Sequence, residues 1–196
     1  MLLESIVETV AESADRADWP GDAELVAAIN QGDHAAFESL YRRHRDWTVN
    51  LACRFTGDES LALDVMQEAF LYLLRKFPGF ELRSQLRTFL YPAVRNLSIA
   101  ARRKAVRCQS SSDGEEILAT LPAPEMAASP GGDLDVVLAG LSEEHREVLL
   151  LRFVDGLSLD EIAAAMEIPS GTVKSRLHNA LKQLRENPRT RELFGK

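Results

Sequence analysis

The chain has little of what metal, disulfide or membrane chemistry needs. Its 196 residues contain two cysteines, Cys53 and Cys108, far apart and without CxxC spacing. No zinc site follows from such a pair; the simplest reading makes Cys53 a small core residue on a helix and Cys108 a solvent-near thiol. Four histidines, His34, His44, His145 and His178, form no ligand pattern. Neither a metal nor a cofactor is therefore expected. Apolar runs are interrupted by charge, as Arg152 interrupts LLLRFV, so no segment is long enough to cross a bilayer. The first residues carry Glu4 and Glu8 and no basic cluster, unlike a secretory signal, which predicts a cytoplasmic protein without membrane insertion. Sustained polar–apolar alternation and hairpin turn signals are missing, which predicts an all-α chain. Paired carboxylates, a nucleophile–base pair and a phosphate-cradling glycine loop are also missing at usable spacing, which speaks against an enzyme and a small-molecule substrate.

Charge is present, but unevenly placed. The net value is −7, which taken alone argues against a nucleic-acid partner. Yet residues 81–108 hold seven bases (Arg83, Arg87, Arg95, Arg102, Arg103, Lys104, Arg107) and one acid, and residues 171–196 hold seven bases and two acids. Residues 1–30 carry seven acids against one base, and residues 109–140 carry six acids and no base. Salt screens charges beyond about 10 Å, so the local field decides phosphate attraction.

Composition divides the chain. Residues 1–21 read as an acidic extension ending in Trp19-Pro20-Gly21, and 22–108 as densely patterned helix. Residues 109–133, with Ser110-Ser111-Ser112-Asp113-Gly114 and then Pro122, Pro124, Pro130, Gly131 and Gly132, read as a flexible linker. Residues 134–187 form a second helical domain and 188–196 a tail. Two small helical domains on a tether are thus predicted.

The second domain carries the most specific pattern. Leu141-Ser142-Glu143-Glu144 looks like a helix start, with Ser142 as cap and two acids in the first turn. That helix runs through Val148, Leu149, Leu151 and Phe153 and stops at Asp155-Gly156. Ser158 and Glu161 have capping-box spacing for a short helix to Met166. Pro169 breaks the pattern, and Ser170 can cap the next helix. That helix shows Lys174, Arg176, His178, Asn179 and Lys182 on one side and Val173, Leu177, Ala180, Leu181 and Leu184 on the other. A helix-turn-helix with a basic second helix results, and its commonest partner is the DNA major groove. A plain helical bundle with a solvated basic face is the alternative, which the charge layout disfavours.

In the first domain, a helix from about Asp22 passes Leu25, Val26 and Ile29 to Gly32-Asp33. A longer one follows through Phe37, Leu40, Tyr41, Trp47, Leu51 and Phe55 to Gly57. A third, about 60–77, buries Leu63, Met66, Phe70, Leu73, Leu74 and Phe77 and carries a second stripe of Asp64, Gln67, Glu68, Leu71 and Arg75. Periodicity alone makes that stripe a solvated side. After Pro78-Gly79, a loop from Phe80 to Gln85 leads into a fourth helix, about 86–103. It has Phe89, Leu90, Val94, Leu97 and Ile99 inside and Pro92 early, where a missing amide is tolerated best.

The segments DVMQEAFLYLLRKF, FELRSQLRTFLYPAVRN and LSEEHREVLLLRFVDGLSLDEIAAAMEIPSGTVKSRLHNALKQLR, in this order and separation, resemble a bacterial RNA polymerase sigma factor of the sigma-70 family. The two-domain layout resembles the extracytoplasmic-function (ECF) subgroup. The resemblance covers about residues 22–187. It implies a region 2 domain that binds core polymerase and the minus-10 element, and a region 4 domain that binds the minus-35 element. Asp64, Gln67, Glu68, Leu71 and Arg75 then match the helix that docks on the clamp helices of the largest polymerase subunit, which reverses the solvated reading. Phe80, Arg83, Arg87, Phe89, Arg95 and Asn96 match the segment that melts and reads minus-10 DNA. By the same resemblance Lys174, Ser175, His178 and Asn179 face minus-35 bases, Gly171, Thr172 and Arg176 fix the backbone, and Lys182 belongs to the same minus-35 surface. The family commonly has Trp where this chain has Phe89, and a basic residue in place of Pro92. Family habit also suggests an anti-sigma protein as partner. A helix-turn-helix regulator that is not a polymerase subunit and a purely protein-binding adaptor are the competing functions.

Overall fold

The computed structural model describes residues 20–110 and 138–187, with side chains placed up to Cys108 in the first stretch. Residues 1–19 of the expected 1–21 extension, most of the expected linker and the tail (188–196) lie outside the described residues. Seven helices and no strand occur among the described residues, so the all-α expectation holds. They group into two compact units.

The first unit contains α1 (Asp22–Asn30), α2 (His34–Thr56), α3 (Glu59–Leu74) and α4 (Leu86–Ser110). Local chemistry sets each boundary. The Asp33 carboxylate caps α2 by accepting from the Ala35 and Ala36 amides, and Gly57 closes it in the left-handed conformation at φ 70°. Asp58 caps α3 through the Leu61 amide. Leu25, Val26, Leu40, Leu51, Phe55, Val65, Met66, Leu73, Leu86, Leu90 and Val94 form the core, which α2, α3 and α4 share. Burying each such side chain contributes roughly 1.5–3 kcal/mol.

Several expectations change. The third helix ends at Leu74, and Leu63 and Leu74 are 36% and 45% exposed, because α2 and α4 both pack on its other side. On α4 the buried stripe is Leu86, Leu90, Val94 with Tyr91 and Ser98, whereas Phe89, Leu97 and Ile99 are half-buried. That helix continues to Ser110 rather than stopping near Arg103. Pro92 is inside it, beyond the first turn, so the Thr88 carbonyl lacks its usual helical donor. Cys53 is half-buried and Cys108 exposed, both as free thiols.

The second unit contains α5 (Glu143–Phe153), α6 (Leu159–Met166) and α7 (Ser170–Glu186). Ser142 caps α5, and the Ser158–Glu161 capping box is formed in both directions. Its core is Leu138, Leu141, Val148, Leu151, Leu157, Ile162, Ala165, Val173 and Ala180. The turn between α6 and α7 is held by Glu167 in the left-handed region at φ 56°, with the Ile168 amide donating to Ala163 O at 3.0 Å. Ser170 does not cap α7: it is the first helical residue, and the cap position falls to Pro169, which offers no side-chain hydrogen bond. Only Val173 and Ala180 of the expected apolar face are fully buried; Leu177, Leu181 and Leu184 are half-covered, as expected of a helix packed by two short neighbours.

Candidate nucleic-acid and polymerase interface

In the second unit, α7 sorts its residues by exposure. Gly171, Lys174, Ser175, His178, Asn179 and Lys182 are all exposed. At about 100° per residue they occupy one continuous arc opposite Val173 and Ala180. A Cβ on Gly171 would meet nothing within 4 Å, so the start of this helix is open to a closely approaching surface. Thr172 is half-buried. Arg176 stands apart from the group: it is turned back onto α5, where its guanidinium pairs with Glu144 at 2.9 Å. The arrangement of α6 and α7 is that of a helix-turn-helix whose second helix presents cations and amide groups outward. Such a face matches phosphate and base-edge chemistry.

In the first unit, α3 carries its second stripe as expected. Asp64, Gln67, Glu68, Leu71 and Arg75 are exposed along one side, with Leu71 at 50%. Beside them lies a groove of about 400 Å³ between α3 and α4, with Asp64 and Glu68 on one wall and Leu97, Ala101 and Lys104 on the other.

The loop before α4 brings together residues far apart in sequence. Phe80 packs on Phe89 at 4.7 Å between ring centroids and on Phe77 at 5.5 Å. Phe89 in turn stacks on Tyr72 of α3 at 5.9 Å and 15°. Arg87 lies with its guanidinium carbon 5.6 Å from the centre of the buried Trp47 ring, a cation–π contact. Arg83 is exposed and touches Glu81 at 3.1 Å. Asn96 is exposed and Arg95 half-buried on the following turns of α4.

Three contributors escaped the sequence reading. Asn30 binds the loop backbone: its side-chain oxygen accepts from the Gly79 amide at 2.6 Å and the Phe80 amide at 3.2 Å, and its amide donates to Phe80 O at 2.9 Å. Tyr72 and Lys76 border the aromatic cluster, with Nζ of Lys76 4.6 Å from the Tyr72 ring centre. None of the three left a signal that periodicity or capping spacing could reveal. Behind the site, Asp22 accepts from Arg43 at 2.7 Å and pairs with Nε2 of the buried His44 at 2.8 Å. Burial pushes the Asp22 carboxyl up, but the hydrogen bonds and charges of His44 and Arg43 outweigh it and hold the pKa below the ordinary value. Burial, then Glu59 and Asp58, raises that of the Cys53 thiol.

The site thus consists of two all-α units, one a helix-turn-helix with an outward cationic helix and the other a four-helix domain with an aromatic loop. The family model "Sigma-70 region 2" matches residues 40–108 and "Sigma-70, region 4" matches 137–186. The chain is 32% identical over 182 residues to "ECF RNA polymerase sigma factor SigE" of Mycolicibacterium smegmatis, covering 86% of this chain and 70% of that one. It is 31% identical to the "ECF RNA polymerase sigma-E factor" of Escherichia coli K12, covering 81% and 90%. Among solved structures, the sigma factor RpoE in complex with the anti-sigma factor NepR from Bartonella quintana matches with a TM-score of 0.56 at 28% identity, covering 76% of this chain and 94% of that one. The chain belongs to the ECF sigma factors of the sigma-70 family. No described helix is long and apolar enough to cross a membrane.

Proposed function

We propose that this chain binds core RNA polymerase and directs it to promoters, with no catalytic group or cofactor of its own. The observation that carries the reading is the coexistence of both regions in one chain, each with a differently built exposed face. A regulator that bound DNA alone would have no use for the α3 stripe. Within this reading, residues 22–108 form the polymerase-docking and minus-10 domain, and 134–187 the minus-35 domain.

The α3 stripe of Asp64, Gln67, Glu68, Leu71 and Arg75 docks on the clamp helices of the largest polymerase subunit. Leu71 supplies apolar area at the centre of a charged rim, the usual anatomy of a specific interface. On α7, Lys174, Ser175, His178 and Asn179 read base edges in the major groove of the minus-35 duplex, at roughly 1–3 kcal/mol per good contact, and Lys182 adds a further contact to that DNA. Gly171 and Thr172 lie against the backbone. The pairing of Arg176 with Glu144 gives that arginine a structural task beside its assigned phosphate contact.

At minus-10, the Phe80–Phe89 pair offers an aromatic surface for an unpaired base, while Arg83, Arg87 and Arg95 attract phosphates and Asn96 offers hydrogen bonds to a base edge. Melting is favoured because unstacking in the duplex is repaid by stacking on protein. Two reading heads on one chain gain effective concentration only when a larger assembly fixes their spacing. Free affinity for DNA is accordingly low.

An anti-sigma protein is a further proposed partner, supported by the solved relative, which was captured with one. The deciding experiment is run-off transcription with core polymerase on a genomic library, followed by mapping of start sites. New starts that depend on this chain are expected; a start-site map identical to that of core enzyme alone would overturn the proposal.

A further inference from the structure

Tyr72 is 37% exposed, and single exposed apolar side chains need no explanation. Its surroundings do. The ring lies nearly parallel to Phe89, at 15° and 5.9 Å, and Phe89 continues through Phe80 to Phe77 at 4.7 and 5.5 Å. The result is a run of four aromatic rings from the loop out to the surface of α3. Tyr72 is its open end. With the centroids 5.9 Å apart, the two nearly parallel rings are displaced from a face-to-face sandwich, and Tyr72 keeps 37% of its surface exposed. Over that ring sits the exposed ammonium of Lys76, at 4.6 Å. A flat aromatic surface beside a mobile cation is the pairing that single-stranded nucleic acid requires, the ring for a base and the cation for its phosphate.

We propose that Tyr72 and Lys76 extend the minus-10 site by one nucleotide, with an unpaired promoter base stacking on Tyr72 and the adjoining phosphate drawing Lys76 off the ring. The proposal rests on the minus-10 reading of Phe80 and Phe89. Core polymerase is the competing occupant, since Tyr72 lies one helical turn beyond Glu68 and so borders the docking stripe. The stack favours DNA: Tyr72 is turned to Phe89, about 100° around the helix from Leu71.

The test uses reconstituted holoenzyme and the fluorescent non-template strand of a promoter found by start-site mapping. Tyr72→Ala and Tyr72→Leu should each weaken strand binding about tenfold, and Tyr72→Phe should restore it. Lys76→Ala should weaken binding and reduce the salt slope by about 0.7. Core affinity, measured by competition, should be unchanged in all four. The Leu variant keeps the bulk if the Ala variant fails to fold. Strand binding intact in Tyr72→Leu but lost in Phe89→Ala overturns this inference alone. Binding intact in both overturns the minus-10 reading as well. A parallel loss of core affinity assigns Tyr72 to the polymerase contact and ends the proposal.

Discussion

Asn30 and Phe80, fifty positions apart, are joined in both directions: the asparagine oxygen accepts from the Phe80 amide at 3.2 Å and its nitrogen donates to the Phe80 carbonyl at 2.9 Å. With the Gly79 amide at 2.6 Å, one side chain satisfies three backbone groups of the loop. The end of α1 thereby sets where the aromatic cluster stands.

Asn30→Ala leaves those three groups without their partner and should cost about 1–3 kcal/mol of stability in the first unit. Asn30→Asp keeps the acceptor but loses the donor to Phe80 O. In both variants open-complex formation should fall while polymerase affinity holds. Permanganate footprinting beside a core-binding assay measures the two separately; equal melting in wild type and Asn30→Ala would contradict the role given to the clamp.

Asp22 links α1 to α2 through Arg43 and His44. Because its folded pKa is depressed, its stabilisation is fully present above the unfolded value near 3.9 and is lost as pH falls through the folded value. Asp22→Asn should destabilise the protein by about 2 kcal/mol at neutral pH, since it removes two charge-assisted hydrogen bonds. The difference between variant and wild type should close below about pH 3.9 in urea titrations. A gap that stays constant into acid would rule out this account.

Leu71 is half exposed on the α3 stripe, so Leu71→Glu should leave stability within about 0.5 kcal/mol. Its effect should appear in co-purification with core polymerase, as a loss of at least about tenfold in affinity. Wild-type recovery of the complex would remove Leu71 from the docking face.

On α7, Lys174→Ala and Asn179→Ala should each cost about 1–3 kcal/mol in minus-35 binding. Arg176 behaves differently if its structural task dominates. Its partner Glu144 is largely exposed, so breaking the pair should cost under about 1 kcal/mol. Glu144→Gln should free the guanidinium for phosphate and steepen the salt dependence of DNA binding by about one contact. An unchanged salt slope would mean that Arg176 already reaches the backbone in the complex.

What the sequence revealed divides by distance along the chain. Ser142, Ser158–Glu161 and Gly57 were legible because capping chemistry acts within one turn. On α7 the helical pattern gave the exposed Lys174, His178, Asn179 and Lys182, while Gly171 and Ser175 came from family likeness. Leu63 and Leu74 were misread as core, since periodicity counts apolar residues but does not say on which side the neighbouring helices lie. Asn30 on the Phe80 loop, Arg87 on Trp47 and Tyr72 on Phe89 join positions 17 to 50 residues apart, and no local pattern encodes such contacts. Arg176 was assigned to DNA from its charge, when Glu144 on another helix had a claim on it. The roles of Phe80, Arg83 and Asn96 came from family likeness, since an aromatic or a cation in a loop does not declare its partner.

Glu167 occupies a backbone shape that favours glycine, at a cost of about 1–2 kcal/mol. A glycine there would ease that cost but would give more backbone freedom both to the elbow between the two helices and to the unfolded chain. Keeping a side chain at the bend trades a little thermal robustness for a stiffer wrist, and the hand that the wrist carries is the one that must fit a groove of fixed width.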